Sequence, residues 1–129
     1  MSGKIKLQLE YIINCSPKVL FNRLSTAAGL TEWFADDVRV KGNQFTFVWG
    51  KTAQVADKKY HKENKMVRFE WIDDDLDQDE NYFEFIISLD DLTNDLSLLV
   101  VDFAFEDEIK ETTDLWNSQI GKLKQLLGS

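Results

Sequence analysis

Carboxylates are the first side chains in this sequence that could do chemistry. Asp36 and Asp37 stand together one residue beyond the aromatic pair Trp33 and Phe34, in the stretch STAAGLTEWFADDV at residues 25–38. Two carboxylates held at one site can divide into acid and base. Neighbours in sequence point apart, however, so this pair reads as a helix exit and a surface turn. Asp73, Asp75, Asp77 and Asp79 repeat at the alternate spacing of a calcium loop, but the central Gly and the terminal Glu at the required distance are missing. They read as a solvated turn. His61, the single histidine, stands beside Lys58, Lys59 and Lys62. With no second histidine in the sequence, it is not expected to act as a base or a metal ligand. Cys15 precedes Ser16-Pro17 and belongs to no Cys-His motif. With no nucleophile elbow, Gly-rich phosphate loop or metal-ligand cluster, neither a cofactor nor a metal is expected.

Asp102 differs from these because it lies inside the apolar run LLVVDFAF. A carboxylate is costly to bury there unless it is paired or hydrogen-bonded. Arg68, in VRFEW, is the candidate partner, and the two could serve as polar anchors for a ligand, as a structural ion pair, or as a convex-face pair in water. Trp33 and Phe34 read either as a gate over a pocket mouth or as a plug in the core. Phe47, Trp49, Phe69, Trp71, Phe85, Trp116 and Ile120 are the candidate pocket lining, although inward aromatic residues can equally fill a plain core.

Those side chains need elements to position them. Residues 4–13 alternate, with Ile5, Leu7, Leu9, Tyr11 and Ile13 on one face, which predicts a half-buried strand. Next, Ser16 is a good N-cap and Pro17 suits a first helical position, so a short helix follows with Leu20 and Leu24 on one side. Thr26 opens a second short helix, although Gly29 inside it costs about 1 kcal/mol. From Val38 the period becomes two, and five turn signals separate the six runs DVRV, FTFVW, TAQVADKKYH, MVRFEW, YFEFIISL and LSLLVVDFAF. Connections this short require antiparallel neighbours. The expected inner faces are Phe45, Phe47 and Trp49; Val67, Phe69 and Trp71; and Phe83, Phe85, Ile87 and Leu89. The last run is apolar on both faces, so alternation does not orient it. A long helix over about 107–127 closes the chain, with Ile109, Thr113, Trp116, Ile120, Leu123 and Leu127 in one apolar stripe.

The fold class is therefore α+β: a curved seven-stranded antiparallel sheet wrapped around a C-terminal helix, with two short helices between strands 1 and 2. Seven strands make a sheet roughly 34 Å wide and about 20 Å tall, so its inner face approaches roughly 700 Å². One helix about 30 Å long shadows about 300 Å² of that. The sheet must curl, and where side chains fall short an apolar hollow remains.

At 129 residues the chain fits one domain. With 15 Lys and Arg against 23 Asp and Glu, the net charge of −8 repels phosphate backbones and anionic lipid, so neither nucleic acid nor membrane is an expected partner. The start MSGKIKLQLEY alternates and does not read as a signal peptide. A lone cysteine suits a reducing compartment, so the expected location is cytoplasmic.

The element order resembles the helix-grip fold of the START-like superfamily, which includes the Bet v allergens and polyketide cyclases, over essentially the whole chain. It is most similar to the branch related to activators of heat-shock chaperone ATPase. The matching residues are Ser16-Pro17 with Val19 and Leu20, GLTEWFADDV, VRFEW at 67–71 and LWNSQIGKL in the last helix. The motifs LST..GL.EWFADDV, RFEW and DFA..DE are also similar to those of a compact group of bacterial START-like proteins. The resemblance implies an apolar pocket between the sheet and the long helix, holding a small apolar or amphipathic molecule without catalysis. Two alternatives stand beside that: a protein-interaction or chaperone-regulating module with an acidic surface, and a cyclase-like pocket enzyme. Chaperone activators of that branch usually carry an additional N-terminal domain, which this sequence does not include. Oligomeric state is not legible.

Overall fold

The short helices form where the capping chemistry places them. Ser16 Oγ accepts the Val19 amide at 3.2 Å and Pro17 occupies the first turn, so α1 runs Pro17–Ser25. Thr26 Oγ1 then accepts the Gly29 amide at 3.0 Å and starts α2, Ala27–Thr31. The computed structural model describes residues 3–72 and 81–128. The acidic stretch containing Asp73, Asp75, Asp77 and Asp79 lies outside the described residues.

Seven strands form one antiparallel sheet: β1 (Lys4–Ile12), β2 (Asp37–Lys41), β3 (Gln44–Trp49), β4 (Thr52–Lys62), β5 (Met66–Trp71), β6 (Tyr82–Leu89) and β7 (Leu96–Phe105). Their spatial order is β1-β7-β6-β5-β4-β3-β2, so every strand from β2 to β7 pairs with its sequence neighbour and β1 closes onto β7. This is a meander with one long return, bridged by α1 and α2. A 3-10 turn, Glu106–Glu108, leads into the long helix α3, Ile109–Leu127, which ends on Gly128 at φ 71°. That left-handed cap suits glycine because no Cβ opposes it. The expected curved sheet, long C-terminal helix and paired short helices are all present. Among the described residues no helix is long and apolar enough to cross a membrane.

The concave face follows the alternation. Phe45, Phe47, Val67, Phe69, Phe83, Phe85 and Ile87 are buried, and α3 lays Trp116, Ile120 and Leu123 against them. Leu89 departs from the expected inner set: it is 48% exposed, because the end of β6 runs out past the core. β7 is oriented by its partner and not by its own pattern. Leu7 of β1 stands opposite Asp102, and Leu96, Leu98, Val100 and Ala104 are buried, so Asp102 shares the concave face with them.

Arg68 goes to the other face. Its Nε donates to Glu84 Oε2 at 2.9 Å, and its guanidinium lies 4.0 Å from the Tyr82 ring centroid and 5.3 Å from that of Tyr60. Glu84 is buried beneath it. The expected Arg68–Asp102 pairing is thus corrected. Arg68 falls between inward Val67 and Phe69, and strand geometry turns it outward to a convex-face ion pair.

Candidate functional site

A cavity of about 360 Å³ opens between the first half of α3 and the adjoining end of the sheet. Its inner walls are Phe34, Phe83 and Trp116, all buried, while Trp49 and Trp71 are half-buried and Leu115 is 58% exposed at the rim. Gln54, Phe103, Thr112 and Gln119 complete the lining with Asp102.

Each wall is held by a bond that its element supplies. The Phe34 carbonyl, just after α2, accepts the Trp49 indole N–H at 2.8 Å and the Gln119 amide at 3.0 Å. One carbonyl thereby ties β3 and α3 to the end of the helical segment. Trp71, at the end of β5, exchanges backbone contacts with Asn81: its amide donates to the Asn81 carbonyl at 2.9 Å, and Asn81 Nδ2 donates to the Trp71 carbonyl at 2.7 Å. On the far side, the Tyr11 hydroxyl donates to Asn117 Oδ1 at 2.7 Å and ties β1 to α3. Phe34 stacks on Phe83 and Trp116, with centroids 5.2 and 5.7 Å apart.

Asp102 is the ionisable group of the described lining. Its Oδ2 accepts the Trp116 indole N–H at 2.8 Å, and its Oδ1 accepts the Phe103 amide at 2.7 Å. Burial pushes its carboxyl above the usual carboxylate range, while the Trp116 and Phe103 donors and the charge of Lys4 oppose the shift. A carboxyl whose folded pKa is raised holds its proton more tightly in the folded state, so it weakens folding as pH rises from its unfolded value near 3.8 through the folded one. Relative to Asp102→Asn, the wild type should therefore lose stability as pH climbs from about 3.5 to 7, as read by urea denaturation at each pH. A constant difference across that range would contradict the burial of the charge.

The candidate residues separate into three groups. Phe34, Trp49, Trp71, Trp116 and Asp102 meet around the cavity. Trp33, Phe47, Phe69, Phe85 and Ile120 lie in the filled core and do not line it. Trp33 donates from its indole to the Arg23 carbonyl at 2.9 Å and packs on Phe85, which fastens it between α1 and the sheet. Arg68 stands on the convex face. Asp36 and Asp37 turn to different partners: Asp36 Oδ2 accepts the Gly50 amide at 2.7 Å, and Asp37 pairs with Arg39 at 3.2 Å.

Sequence reading missed Gln54, Phe83, Phe103, Thr112, Leu115 and Gln119 as lining. For α3 a signal existed: residues 112, 115, 116 and 119 recur at three- and four-residue steps and form a face beside the apolar stripe. Their mixed polarity hides it.

The family model of the START-like superfamily domain matches residues 1–129. No protein with a curated description matches the chain. The solution structure of BfR322 from Bacteroides fragilis is 34% identical with a TM-score of 0.68, covering 97% of this chain and 92% of that one. The Aha1 dimer from Colwellia psychrerythraea is 16% identical with a TM-score of 0.73, covering 93% of each chain. The AHSA1 protein from Silicibacter pomeroyi is 22% identical with a TM-score of 0.67, covering 96% of this chain and 98% of that one. The last two likenesses show the fold.

Proposed function

The chain belongs to the START-like superfamily, and from that premise we propose that it binds a small apolar or amphipathic molecule, unchanged, in the cavity between α3 and the sheet. The observation that carries this reading is the cavity itself: about 360 Å³ with aromatic walls and one carboxylate, open at an apolar rim. That is the composition of a ligand pocket, mostly apolar with few placed polar groups, at the lower end of the usual size range. Burial of apolar area would drive binding at roughly 25 cal/mol per Å², less the ordering costs. The preformed hydrogen bonds of Trp49, Trp116 and Gln119 keep those costs low.

Non-catalytic binding is favoured by the company Asp102 keeps. Its hydrogen-bond partners are an indole N–H and a backbone amide, and neither ionises at ordinary pH. A separate general acid and general base would need two titratable groups, and the described lining offers Asp102 alone. A protein partner met through the acidic surface is the second reading, favoured by the net charge of −8 and the exposed turn Glu106–Glu108. Its single thiol fits either role in a reducing cytoplasm.

Native mass spectrometry of protein purified from its own cells, followed by solvent extraction, separates the two. Ligand binding is expected to show a stoichiometric small molecule that leaves on denaturation. A macromolecular partner released by salt, with no small molecule in the cavity, would favour the second reading.

A further inference from the structure

The cavity's chemistry specifies more than an apolar guest. We propose that its ligand is an organic amine bound as the ammonium, with the charged nitrogen at the Asp102 carboxylate and an aromatic or alkyl body among the surrounding rings. This rests on the cavity being a ligand site.

Charge is the first argument. Asp102 is the one ionisable side chain of the described lining, and no Lys, Arg or His stands with it. An anionic guest would find a carboxylate and no counter-charge. A neutral guest would bring no counter-charge to the half-buried carboxylate, whose two donors are themselves neutral. Lys4 is the basic residue whose charge reaches Asp102. Its ammonium, however, sits over the Phe105 ring, 5.6 Å from the centroid, and Lys4 is not part of the lining. Among the described residues, the cavity side of Asp102 therefore has no cation of its own.

The walls supply the second argument. Phe34, Trp49, Trp71, Phe83 and Trp116 surround the space, and aromatic faces carry negative potential that attracts a cation, Trp most strongly. Rings plus one carboxylate are the usual elements of an ammonium cage.

Geometry supplies the third. The Trp116 indole and the Phe103 amide occupy one acceptor position on each Asp102 oxygen, at 2.8 and 2.7 Å. Each oxygen keeps further acceptor capacity, and the two bonds hold the carboxylate in a fixed orientation. A charge-assisted bond from an ammonium N–H is about twice as strong as a neutral one. The preference is thus for an amine with N–H donors.

An indole series that shares its ring and two-carbon spacer tests this by isothermal titration calorimetry at pH 7: tryptamine as the cation, tryptophol as the neutral alcohol and indole-3-propionate as the anion. Tryptamine is expected to bind about tenfold tighter than tryptophol or better, and indole-3-propionate more weakly than either. In Asp102→Asn the tryptamine-to-tryptophol ratio should fall to about one, with near-UV circular dichroism confirming the fold. Equal affinities in the wild type, a preference for the anion, or a ratio that persists in Asp102→Asn would each overturn the amine assignment. The wild-type series decides even if the variant fails to fold. Tryptophol binding without an amine preference would leave the cavity reading intact, whereas no binding by any of the three would overturn both.

Discussion

Phe34→Ala is expected to cost about 3–5 kcal/mol of folding stability, a fall in Tm on the order of 10 °C or more. Phe34 is 5% exposed, and its ring lies within 6.4 Å, centroid to centroid, of Trp33, Phe47, Trp49, Phe83, Phe85 and Trp116. It joins three layers of the molecule: the end of the helical segment, the concave face of the sheet and α3. Truncation removes the ring's contacts, and the rings around it are already engaged with one another, so they can close only part of the gap. Urea denaturation of the variant beside the wild type measures the loss. The outcome also decides between plug and gate. A plug costs most of the range above, whereas a ring that swings out to admit ligand would cost less than about 1 kcal/mol, because the folded state would already spend time without its contacts.

The second large effect is expected at Gly29, where two ordinary rules conflict. Helix propensity favours alanine over glycine by about 1 kcal/mol. The packing of α2 on α1 opposes it: a Cβ at Gly29 would lie 2.5 Å from the Asn22 carbonyl oxygen, 2.7 Å from Arg23 Cα and 2.9 Å from Thr26 Oγ1. Two of those atoms are backbone and the third caps α2, so none can give way cheaply. The ion pair from Arg23 to Glu32 binds the same two segments together from outside. Gly29→Ala should therefore destabilise by about 2–3 kcal/mol, and the displaced turn would carry Trp33 and Phe34 with it. A gain in Tm would mean that the helices are free to separate and that propensity alone governs the site.

Gly29 also marks what a sequence can and cannot convey. As a weak point in a helical pattern it was legible, but its purpose was not, because the backbone atoms it makes room for belong to the preceding helix. The strands were legible because each has one buried face and a period of two, and Ser16, Pro17 and Thr26 announced both short helices through their caps. Arg68 could have been placed by parity, one step from inward Val67 and Phe69. Asp102 could not, since β7 is apolar on both faces, and only its register opposite Leu7 turns it inward. The aromatic candidates were the right residue types, yet which of them fill the core and which face empty space depends on gaps of a few ångströms. Phe47 and Phe69 are sealed by neighbouring rings, while Trp49 and Trp71, at strand ends, are half-exposed. Periodicity carries no information about that difference.

Tryptophan placement offers the most direct test of a ligand site between the sheet and α3. Trp49, Trp71 and Trp116 line the cavity, whereas Trp33 is fastened to the Arg23 carbonyl outside it. The measurement is a titration of the isotopically labelled protein with tryptophol, following the indole N–H resonances by two-dimensional NMR. Saturable movement of the Trp49, Trp71 and Trp116 signals along a single binding curve, with Trp33 stationary, is the expected result. Three unmoved cavity signals at saturating probe, or a shift confined to Trp33, would contradict it.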